Sequence, residues 1–165
     1  MHKFFLLITI LTTNFLNAVS IETAKNELLN HVELLVRHNN AEELEKLCNE
    51  DLLTDEEIRF TSNNEALAKI AIEWRASKVL ELLFKKQIFG VNETFSDDNQ
   101  TYRLLQIAIG EEDSEMVKFL IKHGAAIDAN DINLASNMNL EEIVQILKNP
   151  DAYRQTSRRS RSLFN

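Results

Sequence analysis

The sequence is poor in residues that break regular structure, with one proline and three glycines in 165 positions. That leaves too few turn signals for the many short strands of a sandwich or barrel, so a mostly helical chain is expected. Cys48 is the single cysteine, so no internal disulfide can form and packing alone must hold the fold. A small buried residue is the expected role for it. Basic charge is scarce as well. Eighteen Lys and Arg stand against 26 Asp and Glu, a formal charge of −8, which opposes general binding to nucleic acid or to anionic membranes. No nucleophile elbow, phosphate-binding glycine loop or paired-cysteine metal pattern occurs, so neither catalysis nor a cofactor is expected. His31 and His38 share a helix face with Glu27, but no fourth ligand lies near in sequence, and a solvated face is the simpler reading.

The ends differ from the middle. Met1-His2-Lys3 starts positively, Phe4 to Leu11 is apolar, and Phe15-Leu16-Asn17-Ala18 closes on a small residue. This is the layout of a secretory signal peptide, residues 1–18, cleaved after Ala18. Thr9, Thr12, Thr13 and Asn14 interrupt the run, and a spanning helix needs about 20 apolar residues. The mature chain is therefore expected to be exported, secreted or periplasmic, without stable membrane insertion. Residues 151–165 form a basic tail with Arg154, Arg158, Arg159 and Arg161 against Asp151, expected to be disordered. Between the ends, residues 4–150 carry a net −12.

Residues 19–150 contain a repeat. Ala71 to Phe84 lies over Ala108 to Ile121 without a gap at an offset of 37 residues, and the strongly apolar positions other than Trp74, which lies over Glu111, are apolar in both. A shorter copy, Ile143 to Leu147, matches Met116 to Leu120 at an offset of 27. A weaker one places Leu44, Leu47 and Cys48 behind an Asn40/Glu43 cap. Ahead of it, Ile21, Ala24, Leu28, Val32 and Leu35 recur at helical spacing. Thr54 and Glu57 form a further capping signal before Ile58, which predicts a short helical turn. The pattern is about four helix–turn–helix units.

Glu115-Met116-Val117-Lys118-Phe119-Leu120-Ile121, followed by Lys122-His123-Gly124-Ala125-Ala126-Ile127-Asp128-Ala129, resembles the ankyrin repeat consensus E-I-V-K-L-L-L and x-x-G-A-D-V-N-A. The resemblance implies an all-α, short ankyrin-like solenoid from Glu22 to Asn149 with degenerate end units. It also implies a monomer that binds another protein through its concave face. The family's T-P-L-H motif is replaced by Ala66-Leu67-Ala68-Lys69 and Arg103-Leu104-Leu105-Gln106. Its exit glycine survives as Gly124, whereas Gln87 takes that place in the preceding copy and Gly90 follows three residues later, so an altered turn is expected there. The loop from Asn92 to Thr101 is longer than the family's finger, and it holds two Asn-x-Thr glycosylation patterns, at Asn92 and Asn99.

By this register Ile70 and Ile107 hold the variable first-helix position of the concave face, with Trp74 and Glu111 one turn later and Phe95 in the finger. Trp74, the single tryptophan, is either an interface anchor or a packing residue between units. Phe95 is either a contact or a cap over the core. Resemblance to ankyrin proteins of host-associated bacteria implies a host-directed effector of an intracellular bacterium. The alternatives are a periplasmic accessory or immunity protein that holds one exported partner and, in a different class, an enzyme on a helical scaffold.

Overall fold

The computed structural model describes residues 18–50, 54–61, 65–97 and 100–154, and roughly two thirds of these are helical. Residues 1–17 of the expected signal segment, most of the basic tail and Asn99 lie outside the described residues. Four helix pairs follow one another: α1 (Ala18–Arg37) with α2 (Ala41–Asn49), α4 (Leu67–Glu73) with α5 (Ser77–Lys85), α6 (Leu104–Gly110) with α7 (Ser114–Lys122), and α8 (Ala129–Asn137) with α9 (Glu141–Lys148). Between the first two pairs lies the short helix α3 (Asp55–Ile58), and α10 (Asp151–Arg154) packs back on α7. Both capping signals read from the sequence are present. Asn40 accepts from the Glu43 N–H, and Thr54 and Glu57 cap each other reciprocally.

Every pair is closed by the same turn. Asn39, Arg75, Glu112 and Asn139 adopt positive φ of 51°, 55°, 54° and 59°. The residue after each donates its N–H five residues back: Asn40 to Leu35 at 2.9 Å, Ala76 to Ala71 at 2.7 Å, Asp113 to Ala108 at 3.2 Å and Leu140 to Ala135 at 2.9 Å. This is the Schellman arrangement, which satisfies carbonyls that the helix end leaves open. The second helices of the two middle pairs end the same way. Gln87 (φ 59°) and Gly124 (φ 96°) occupy the turn, while Ile88 bonds back to Leu83 and Ala125 to Leu120, each at 3.0 Å. The expectation of an altered turn at Gln87 is thus corrected. A left-handed residue other than glycine costs about 1–2 kcal/mol, and here two hydrogen bonds and burial of Ile88 offset it.

Stacking follows from side-chain size. Ala71, Ala108 and Ala135 occupy equivalent places on α4, α6 and α8, and all are fully buried. With only a Cβ at that point, neighbouring first helices approach closely, and α1, α4, α6 and α8 form one layer. The second helices form the other layer. Leu44, Leu80, Val117 and Val144, with Leu47, Leu83, Leu120 and Leu147, fill the space between the layers. Cys48 is half-buried against this core.

Polar bonds tie each pair to the next. The Asn39 side-chain oxygen accepts from the Lys78 N–H at 3.0 Å and the Val79 N–H at 3.2 Å, so it caps α5, whose own cap residue Ala76 has no polar side chain. Arg75 pairs with Asp113 at 3.1 Å, and Asp113 itself caps α7. The Asn92 amide donates to the Gly124 carbonyl at 3.2 Å and accepts from the Ala126 N–H at 2.7 Å. Arg103 donates to Asp128 at 2.8 Å, to the fully buried Asp131 at 2.7 Å and to the Ala126 carbonyl at 2.9 Å.

The all-α expectation is corrected at one place. Within the long finger, β1 (Thr94–Asp97) and β2 (Gln100–Arg103) pair antiparallel, with Phe95 opposite Tyr102 and Ser96 opposite Thr101. Thr, Phe and Tyr favour extended backbone, and cross-strand pairs of this kind hold a hairpin.

Truncating Leu83 or Leu120 to Ala should cost about 2–5 kcal/mol, because each opens a cavity between stacked pairs; equilibrium urea unfolding measures this. A second expectation concerns acid. The Glu57 carboxyl is lowered from 4.5 to about 2 by its bond to Lys25 and then by those to Thr54. A lowered folded-state pKa stabilises the fold above about pH 4.5, and the contribution is lost as pH falls towards 2. The thermal midpoint of Glu57→Gln should therefore lie below wild type near neutrality and converge with it in acid.

Candidate protein-interaction surface

Two surface features stand out, one on the first-helix layer and one beside the ends of the second helices. On the first, Trp74 caps the C-terminus of α4 and is 50% exposed. Its ring is held in place. The Arg37 guanidinium lies 4.7 Å from the ring centroid, and Glu33 fixes that guanidinium from one turn earlier at 2.6 Å. A cation over an indole face is attracted by the ring quadrupole, so the tryptophan stands ordered without being buried.

The other sequence-expected site residues divide. Glu111 is exposed at the end of α6, at the place equivalent to Trp74, and Ile107 is half-buried on the same helix. Ile70 is corrected. It is 1% exposed, because α1 and α6 close on α4 from both sides, so it belongs to the core. Phe95 packs on the buried Phe89 with ring centroids 5.8 Å apart. The Arg59 guanidinium covers Phe89 at 4.6 Å and also bonds the Ile88 carbonyl and Glu93. Phe95 therefore anchors the hairpin over the core.

Leu34, absent from the expected set, is 53% exposed on α1. It is the first-pair equivalent of Ile70, and among the described residues no helix precedes α1 to cover it. A signal was available, since Leu34 falls off the Leu28, Val32 and Leu35 stripe.

Charge on this face is mainly acidic. Lys69 is shared between Glu65 at 2.9 Å and Glu73 at 3.7 Å. Burial raises the Glu73 carboxyl above its ordinary value; Lys69 opposes the rise, and the negative Glu65 and Glu111 add to it.

The second feature is an open groove of about 330 Å³ lined by Phe84, Gln87, Phe89, Gly90, Val91 and His123. Phe84 and Phe119 stack at 6.4 Å, and the His123 ring lies 4.2 Å from that of Phe119. The Nδ1 of His123 is engaged by the Phe119 carbonyl at 2.9 Å. The groove offers aromatic surface, and no carboxylate lines it. Among the described residues no three His, Cys, Asp or Glu side chains gather as a metal would require, and no helix is long and apolar enough to cross a membrane.

No curated protein matches the chain. No ankyrin-repeat family matches it either, so that resemblance stands on the repeated residues alone. A family model described as Shigella flexneri OspC protein matches residues 42–131. The match runs from α2 into α8 and takes in the two middle helix pairs, the hairpin and Trp74. Spanning more than half of the sequence, it shows that this chain belongs to the Shigella flexneri OspC protein family.

Proposed function

We propose that the protein is a host-directed effector of a bacterium that acts, without catalysis of its own, by binding another protein through its first-helix face. The OspC family is one of secreted effectors, which supports the delivery half of this reading. Stacked helix pairs with a repeated turn and a hairpin between the middle pairs support an ankyrin-like scaffold, whose first-helix face is the binding side. The observation that carries the reading is Trp74. A half-exposed tryptophan costs solvation, yet Arg37 and Glu33 hold it in one posture on the outside of the fold. Ordered aromatic anchors of this kind lose little entropy on binding and concentrate the binding energy of an interface.

The partner would carry an apolar knob within a basic rim, matching Trp74, Leu34 and Ile107 among the carboxylates Glu73 and Glu111. A partner recovered by affinity purification from host cells should bind Trp74→Ala at least about 30-fold more weakly, the equivalent of roughly 2 kcal/mol. The variant should remain folded, since Trp74 contributes little to the core. Affinity should also fall as salt rises. A variant that unfolds more easily but binds normally while folded would place Trp74 in the stability of the scaffold and defeat the assignment.

A further inference from the structure

We propose that the aromatic groove between the exits of the second and third helix pairs holds a segment of this same chain, with Leu163 and Phe164 of the basic tail seated in it. The inference does not depend on the first-helix face being a binding surface.

The groove joins two repeats. Phe84, Phe89 and Val91 come from α5 and the exit that follows it, and His123 comes from the end of α7. The rings of Phe84 and His123 stand 5.8 Å apart, and both residues are only half-buried, as is Val91. Covering apolar surface of this kind is favourable roughly in proportion to the area removed from water. No carboxylate lines the groove, so an apolar side chain suits it better than one of the tail's arginines. Lys85 and Lys122 stand in the last turns of α5 and α7, and they oppose the arginines further.

The course of the chain leads there. After α9 in the fourth pair, the chain turns at Pro150 and runs back across the third: α10 packs on α7, Tyr153 packs against the core, and Arg154 donates to the Ala125 carbonyl at 3.1 Å. Ala125 is two residues from His123, the near wall of the groove. The chain has thus passed from the fourth pair to the third, and the next step along the stack is the groove between the third and the second.

The tail has the composition of a tethered anchor. Residues 155–162 are all polar or charged, and Leu163 and Phe164 are the first apolar residues after Tyr153. Leu163 stands nine positions beyond Arg154, a reach of up to about 30 Å at about 3.3–3.6 Å per residue. Little of that is needed. A short tether keeps its end at an effective concentration in roughly the millimolar range, so even a weak open site is filled from within the chain ahead of a second copy at micromolar concentration.

The test uses the full chain and a synthetic peptide of residues 161–165. A Leu163→Ser/Phe164→Ser double variant, whose changes lie outside the helix pairs, should bind the peptide saturably. Wild type should bind it at least about fivefold more weakly, because its own tail competes. Equal binding by both chains, or none by the variant at millimolar peptide, overturns the proposal. Location is read separately, from a full chain that carries p-benzoylphenylalanine in place of Phe164. Irradiation in dilute solution should give a monomer-sized product crosslinked within residues 84–91 or at His123. No crosslink, crosslinks only elsewhere, or a dimeric product alone overturns it, the last by giving the groove to a second copy.

Discussion

The hydrogen bond that closes each helix pair, from the residue after a left-handed turn to a carbonyl five residues back, is the constraint on which the whole stack depends. It reverses the chain within two or three residues, so the apolar stripe of the second helix meets that of the first. Without it, the short helices of the later three pairs would have no reason to form, because isolated helices of seven to nine residues are marginal in water. Among the described residues, five of the six positive-φ positions are Asn, Arg, Gln or Glu. A chain with three glycines still makes six left-handed turns among the described residues by accepting strain where packing and paired backbone bonds over-determine the geometry.

Between pairs the links are of another kind. Arg103 ties the end of the hairpin to the start of the last pair through Asp128 and the buried Asp131, and Asp131 also accepts from the Asp128 N–H at 2.9 Å. Desolvating such a pair is costly, and removing one partner typically costs about 3–5 kcal/mol because the other charge is left buried. Its value here is positional: it fixes which turn the hairpin leans on. Asn92 and Arg154 grip the same turn at Gly124, Ala125 and Ala126, so three consecutive carbonyls of an exit loop are satisfied by side chains from outside the pair.

Much of this architecture was readable from the residues. The offset of 37 placed both middle pairs, the Thr54/Glu57 and Asn40/Glu43 spacings located two helix starts, and the shortened offset found the last pair. These are local or periodic signals, which sequence records directly. The hairpin was missed because its alternation, Thr-Phe-Ser-Asp and Gln-Thr-Tyr-Arg, spans only four residues a side and lies among loop-forming Asn and Asp. Gln87 misled because glycine is the usual left-handed residue, and the bonds that compensate its absence depend on chain reversal. On the candidate surface, Trp74 and Glu111 were placed by register, but register cannot tell a flanked helix from an end one. Ile70 and Leu34 are the same position, and only the neighbours of α4 and α1 decide that one is core and the other surface.

The caps supplied across pairs bear on how such a chain can evolve. Asn39 completes α5, Arg75 steadies the cap of α7, and Asn92 holds the exit of the third pair. A single pair excised or copied as a cassette would leave its own helix start bare and its neighbour's exit unbonded. Growth of this array by duplication would have to proceed in blocks that carry a donor pair with its recipient, and a lone inserted unit would begin life as the weakest link.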